Sequence, residues 1–78
     1  MPRRVKLPTS GRVRHEEKIT VYVSREELLA LEQARLVLRA YGFAVDRGRI
    51  VREAIAAAVT DLEEHAEDSE LVRRLAAP

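Results

Sequence analysis

With 78 residues, the chain is long enough for a single domain, and a domain this small buries too little surface to be stable without disulfides, a metal or a partner. It has no cysteine, and its two histidines, His15 and His65, lie far apart without other ligands at metal-binding spacing, so disulfides and a recognisable metal site are excluded. The net charge of +1 does not by itself indicate nucleic-acid binding. Association with a second copy is the remaining route to stability.

The first seventeen residues combine prolines, a glycine and hydroxyl residues with basic side chains, and they show no apolar periodicity. This composition predicts a flexible basic arm. At the other end, the stretch from Asp61 to Glu70 holds six acidic residues and no Lys or Arg, so the charge is polarised along the sequence. The basic residues of the arm, which are candidates for contact with DNA or with a partner protein, are Arg3, Arg4, Lys6, Arg12 and Arg14.

A strict alternation of apolar and polar side chains follows the arm, and its residue types favour β-structure. The apolar positions are Ile19, Val21 and Val23, and the positions between them are Lys18, Thr20 and Tyr22. The alternation predicts a strand, and nothing later in the sequence can pair with it because everything after Ser24 has helical character. We therefore expect the strand to pair with the same strand of a second copy in a two-stranded antiparallel ribbon.

Ser24 and Glu27 form a capping-box pattern that predicts the start of a first helix, Arg25 to Tyr41, which Gly42 ends. Asp46 is the candidate N-cap of a second helix, Arg47 to His65. A third, short helix from Glu70 to Ala76 is predicted behind a cap at Asp68 or Ser69. We expect it to dock on a minor apolar stripe of the first helix, which consists of Leu29, Leu36 and Ala40.

The order of strand, helix and helix resembles the ribbon-helix-helix family, which includes the Arc and MetJ repressors. The resemblance is carried by Lys-Ile-Thr-Val-Tyr-Val-Ser at 18–24, by the capped helix after it, and by Asp-Arg-Gly-Arg-Ile-Val-Arg-Glu-Ala at 46–54. It implies a mainly α-helical intertwined homodimer with one short β-strand per subunit. The expected domain division is a basic arm at 1–17, the ribbon-helix-helix domain at 18–65 and a helical extension at 66–78.

The resemblance implies sequence-specific binding of double-stranded DNA, with the ribbon in the major groove. The apolar side of the strand must face the helices, so the opposite side presents Lys18, Thr20 and Tyr22 to base edges. At the start of the second helix, the resemblance implies a clamp on the DNA backbone formed by Arg47, Gly48 and Arg49, whose amides lie at a positive helix end. Gly48 stands where the family often has a hydroxyl residue, so a hydroxyl contact is lost.

The biological role has several alternatives that share this fold. We expect a transcriptional repressor, with a centromere-binding adaptor of a partition system as the runner-up, working with a Walker-type ATPase through the basic arm. A DNA-binding antitoxin would need a C-terminal segment that folds on its toxin, and residues 67–78 are the candidate. Outside this class, a protein-interaction dimer without a DNA role would leave Lys18, Thr20 and Tyr22 dispensable.

Other classes of function find no support in the sequence. The sequence has no apolar run of membrane-spanning length and no signal-peptide pattern, so we expect a cytoplasmic, nucleoid-associated protein. No serine has a visible histidine and acid arrangement, and no glycine-rich turn has phosphate-loop spacing. We therefore expect neither an enzyme nor a cofactor.

Overall fold

The computed structural model describes residues 14–78, and helices are the only regular secondary structure in this part of the chain. Helix α1 spans Arg25–Ala40, α2 spans Arg47–His65 and α3 spans Glu70–Ala76, with a 3₁₀ turn at Ala66–Asp68 between α2 and α3. The predicted bounds of the second and third helices are confirmed, and the first helix ends one residue earlier than predicted, with Tyr41 as its C-cap. Among residues 14–78, no helix combines the length and the hydropathy that crossing a lipid bilayer requires.

Local signals determine where α1 begins and ends. The Ser24 hydroxyl accepts from the Glu27 amide over 3.1 Å, and the Glu27 carboxylate accepts from the Ser24 amide over 2.8 Å, so the predicted capping box is confirmed. At the other end, the amide of Gly42 donates to the carbonyl of Arg39 and that of Phe43 to the carbonyl of Leu38. This is a Schellman motif, and it requires the left-handed backbone that Gly42 adopts at φ 97°.

Helix α2 begins at the predicted cap, because Asp46 accepts from the amide of Arg49 over 2.7 Å. It ends at Ala66, whose φ of 47° is the one positive value at a non-glycine residue within 14–78. This conformation stops the helix and turns the chain back. The turn brings α3 alongside α2.

Helix α3 packs against α2 and the 3₁₀ turn and has no contact with α1, so the predicted docking on Leu29, Leu36 and Ala40 is wrong. Ser69 caps α3 by accepting from the Val72 amide, and it alone among residues 14–78 is buried, with 1% of its surface exposed. Asp61 of α2 accepts from the first amide of α3, that of Glu70, over 2.8 Å. A short connection and a direct hydrogen bond thus hold α3 against its sequence neighbour.

The predicted β-strand is absent from the described residues, so the expected fold, a mainly α-helical chain with a two-stranded antiparallel ribbon, is wrong. Residues 14–23, named here the leading segment, have no regular secondary structure and are exposed throughout. The physical reason is that a strand exists only through backbone hydrogen bonds to another strand, and the rest of the described chain is committed to helices and short turns. The alternation at 18–23 was therefore not enough to make a strand.

Apolar side chains remain uncovered over much of the molecule. Within residues 14–78 no hydrophobic residue is buried, and the best covered, such as Leu31, Leu38 and Ile50, are half-buried. The exposed apolar surface is defined by its large members on α1, the following turn and α2, which are Leu28, Leu29, Leu36, Val37, Tyr41, Phe43, Val51, Ile55 and Leu62. Helices of this length owe most of their stability to packing on an apolar face, so one chain by itself has no core to support them.

Candidate nucleic-acid interface

The candidate site lies where α1 and α2 meet, at the N-terminus of α2. The first amides of any α-helix have no acceptor within the helix, and this end carries the positive pole of the helix dipole. Asp46 satisfies one of them by accepting from Arg49. The amides of Arg47 and Gly48 precede it and belong to the same first turn.

Five arginines surround this helix end, and we name them the corner cluster: Arg35, Arg39, Arg47, Arg49 and Arg52. Arg35 and Arg39 of α1 line a concavity that they share with Ala44, Val45 and the N-cap Asp46. Arg47 and Arg49 belong to the first turn of α2. Two helices therefore contribute cationic side chains to one region of the surface.

Glu32 connects the two helices within this region. Its Oε2 lies 3.2 Å from Nε of Arg35 on the same helix, and its Oε1 lies 3.6 Å from Nε of Arg47 on α2. One carboxylate thus bridges two guanidinium groups. Both arginine side chains are more than a third exposed. Solvent therefore screens these ion pairs, and each one is weak.

Two further arginines of the corner cluster, Arg49 and Arg52, lie along α2. Arg49 Nε is 2.8 Å from Oε2 of Glu53, one turn further along the helix. The guanidinium of Arg52 lies over the first turn: a Cβ built on Gly48 would be 3.2 Å from its Nη1. The absence of a side chain at Gly48 therefore accommodates a third guanidinium group at the open end of the helix.

The predicted site residues divide into two groups. The predicted phosphate-binding residues Arg47, Gly48 and Arg49 lie together at the start of α2, although both arginines already have carboxylate partners. The predicted base-reading residues Lys18, Thr20 and Tyr22 lie in the leading segment, and Tyr22 is 95% exposed.

The predicted residues of the basic arm fall mainly beyond the part that the structure describes. Arg3, Arg4, Lys6 and Arg12 lie outside residues 14–78. Arg14 is described, and its Nε lies 3.0 Å from Oε1 of Glu16 in an exposed ion pair. Its role in binding stays a prediction.

Sequence reasoning assigned no role to Arg35, Arg39 and Arg52 of the corner cluster or to the carboxylates Glu32 and Glu53. Spacing alone could have indicated some of them, because Glu32–Arg35 and Arg49–Glu53 are neighbours at i,i+3 and i,i+4 on a helix. The same spacing places Arg52 one turn after Gly48. No local pattern indicates the contact between Glu32 and Arg47, since it depends on how α1 and α2 meet.

The side chains of this region are cationic, which does not suit the binding of a metal ion. Within residues 14–78, no three His, Cys, Asp or Glu side chains are grouped so that they could hold a metal ion. The chemistry that the cluster offers is instead a set of guanidinium and backbone N–H donors, which suit phosphate oxygens.

Comparison with protein-family models, with curated proteins and with solved structures finds no match for this chain. The resemblance to ribbon-helix-helix proteins therefore rests on the sequence motifs alone, and the function has to be argued from the site.

Proposed function

We propose that the chain is a DNA-binding protein that works as a homodimer. The observation that carries the proposal is the corner cluster, in which five arginines from two helices surround the open N-terminus of α2. A helix N-terminus beside guanidinium groups is a favourable place for a phosphate. A nucleic-acid backbone presents phosphates in series, so it suits a cluster spread over two helices better than a single small anion does.

The corner cluster supplies affinity in this proposal. The amides of Arg47 and Gly48 donate to a phosphate of the DNA backbone, and the guanidinium groups of Arg47, Arg49 and Arg52 neutralise it and its neighbours. Such contacts carry no sequence information, and they make binding fall steeply with salt, by about 0.9 in log affinity per log salt for each neutralised phosphate.

The leading segment supplies base recognition. Lys18 can donate to guanine O6 and N7, Thr20 can donate or accept at several base edges, and Tyr22 can reach a base or a phosphate. All three residues are exposed, so their side chains are not buried when one chain folds and remain accessible to DNA. A segment without regular structure takes its final form when it binds.

A second copy of the chain covers the exposed apolar surface. One chain buries no hydrophobic residue among those described, whereas a stable domain needs a shared apolar core. Two copies that bring their α1 and α2 faces together form that core. They also place two corner clusters on one particle, which doubles the number of phosphate contacts per binding event.

The proposed biological role is repression of transcription. The antitoxin alternative requires a C-terminal segment that folds on its toxin, yet α3 is already folded and is joined to α2 by the Asp61–Glu70 hydrogen bond. This contact favours a C-terminal extension that belongs to the domain. Repression is the simplest use of a protein that occupies DNA and whose α3 belongs to the folded domain instead of serving as a segment that folds on a partner.

The test is selection of bound duplexes from a random pool, followed by affinity measurements over a range of salt. We expect the intact protein to enrich a short motif, and Lys18→Ala, Thr20→Ala, Tyr22→Ala together to abolish enrichment while weak binding persists. We expect Arg47→Ala with Arg49→Ala to weaken binding to every duplex and to reduce the salt slope by about one per lost phosphate contact.

The matched control removes two arginines elsewhere. Arg73 and Arg74 both pair with Glu70 within α3, whose first amide binds Asp61 toward the C-terminal end of α2, so Arg73→Ala with Arg74→Ala causes the same loss of net charge without touching the corner cluster. Equal effects of the two double variants, or no duplex binding by the intact protein at low salt, would contradict the proposal.

A further inference from the structure

Two acidic residues, Glu32 and Glu53, form ion pairs with arginines of the corner cluster. Oε2 of Glu53 lies 2.8 Å from Nε of Arg49. Oε1 of Glu32 lies 3.6 Å from Nε of Arg47, and Oε2 of Glu32 pairs with Arg35. These are the arginines that would meet a phosphate. A phosphate and a carboxylate compete for the same guanidinium donors, since each offers a pair of negatively charged oxygens that a guanidinium can bind in a bidentate way.

We propose that Glu53 and Glu32 restrain the corner cluster, so that a DNA phosphate must displace a carboxylate before it gains Arg49 or Arg47. This inference rests on the proposed function and adds residues to it. Each carboxylate acts through its arginine and does not touch DNA itself. It lowers the affinity for phosphates, and phosphate contacts are the part of binding that does not depend on sequence.

The restraint therefore affects the time that the protein spends on non-specific DNA. A protein must find its site among a large excess of other DNA, and tight non-specific binding keeps it away from that site. Weakening the phosphate contacts lowers the affinity for specific and non-specific duplexes alike, and it shortens the time spent on the non-specific ones. Base contacts from the leading segment then decide where the protein remains.

The geometry favours Glu53 as the stronger restraint. Its distance to Arg49 is that of a charge-assisted hydrogen bond, and the two residues are one turn apart on a rigid helix. Glu32 is shared between two arginines and lies further from Arg47, so its hold on Arg47 is weaker. Both pairs are partly exposed, so each restraint is modest.

The experiment measures the affinity of the full-length protein for a duplex of scrambled sequence at low salt. We expect Glu53→Gln to bind roughly two- to fivefold more tightly than the unchanged protein, which corresponds to the usual strength of an exposed ion pair. We expect a smaller gain for Glu32→Gln. Both gains should shrink as salt rises, because salt screens the competing interactions.

Two controls separate this mechanism from a general effect of charge. Glu67→Gln removes one negative charge from the 3₁₀ turn beyond the far end of α2, a helix about 28 Å long by its 19 residues. The double variant Glu53→Gln with Arg49→Ala tests whether Glu53 acts through Arg49. If it does, Glu53→Gln should no longer raise the affinity for the duplex once Arg49 is alanine. Circular dichroism verifies that each variant is as helical as the unchanged protein.

A gain for Glu53→Gln no larger than that for Glu67→Gln overturns the inference, and so does a gain that persists beside Arg49→Ala. Both results leave the proposed function intact if the unchanged protein binds the duplex. Failure of the unchanged protein to bind any duplex overturns the proposed function and this inference together.

Discussion

Single residues stabilise the ends of the helices, and Ala66 is the one that does so at a conformational cost. Its backbone, at φ 47° and ψ −118°, lies where L-residues are disfavoured because Cβ approaches the backbone. The reversal from α2 to α3 requires this conformation. Gly42, at the end of α1, performs a similar task without that cost because it has no Cβ.

We predict that Ala66→Gly stabilises the protein by about 0.5–1 kcal/mol, since relief of the unfavourable backbone outweighs the larger entropy loss of glycine. Urea denaturation at one fixed protein concentration measures the difference. Ala57→Gly in the interior of α2 is the matched control, and it should destabilise by about 0.5–1 kcal/mol. Two changes of the same kind should thus have opposite signs, and equal signs would contradict the assigned backbone of Ala66.

At the scale of the elements, Asp61 of α2 uses one carboxylate oxygen to hold α3 and the other within its own helix. Oδ2 accepts from the Glu70 amide, and Oδ1 lies 2.8 Å from Nδ1 of His65. The hydrogen bond from the Glu70 amide, with smaller contributions from His65 and Arg73, holds the pKa of Asp61 below its ordinary value of 3.8. The ionised carboxylate is therefore the form that secures α3.

This lowered pKa predicts how acid affects the protein. A carboxyl group whose pKa is lower in the folded state stabilises that state above its ordinary pKa, and the contribution is lost as the pH falls through the folded value. We predict that the stability difference between the unchanged protein and Asp61→Asn is fully present above pH 3.8, the ordinary pKa of the carboxyl group, and shrinks as the pH falls below it. Urea denaturation of both proteins at each pH measures it, and a constant difference would contradict the role of the charge.

Glu27 adds to the same acid sensitivity at the other end of the molecule. The Ser24 amide, and then its hydroxyl, hold the pKa of Glu27 below its ordinary value of 4.5. Acid therefore weakens the cap of α1 as well. The stability of the unchanged protein alone reflects the protonation of both carboxyl groups. The difference from Asp61→Asn isolates the contribution of Asp61.

The helices were predictable from the sequence because their ends are determined locally. Ser24, Asp46 and Ser69 each accept from an amide three residues later, so the signal and the structure it produces lie within one turn. The strand predicted at 18–23 would have needed a partner strand in another chain, and the docking of α3 on α2 follows from the turn at Ala66 and the hydrogen bond from the Glu70 amide to Asp61, which no apolar stripe indicates. Alternation and an apolar stripe show that a face needs covering, but they do not identify what covers it.

The candidate site follows the same division. Arg47, Gly48 and Arg49 were predictable because the cap at Asp46 places them in the first turn of α2. Arg35 and Arg39 share a concavity with Asp46 only because α1 and the following loop meet there. Glu32 was missed for the same reason, since its contact with Arg47 crosses between helices.

At the scale of the whole molecule, the exposed apolar surface is the dominant feature. Within residues 14–78, large apolar side chains on both long helices stay accessible, including Leu29 at 58% and Ile55 at 43%. Packing them against a second copy removes this surface from water at a gain of roughly 25 cal/mol per Å² of apolar area. The folded state should therefore depend on association.

We predict that the midpoint of thermal unfolding rises with protein concentration, as it does when folding and dimerisation are coupled. Ile55→Glu places a charge in the proposed core and should yield a monomer with little helix, measured by sedimentation equilibrium and circular dichroism. Thr60→Glu introduces the same side chain at an exposed polar position of the same helix, and it should leave the dimer intact. A concentration-independent midpoint for the unchanged protein would contradict the prediction.

Under the proposed function, the uncovered apolar surface also determines how the occupancy of DNA sites depends on the amount of protein. When chains fold only in pairs, the number of pairs at low concentration rises with the square of the number of chains, so halving the supply leaves about a quarter of the pairs. Unpaired chains lack a core and are exposed to cellular proteases. A fall in synthesis would then lower the occupancy of the DNA sites more than in proportion, and a rise would restore it, without a ligand acting as the trigger.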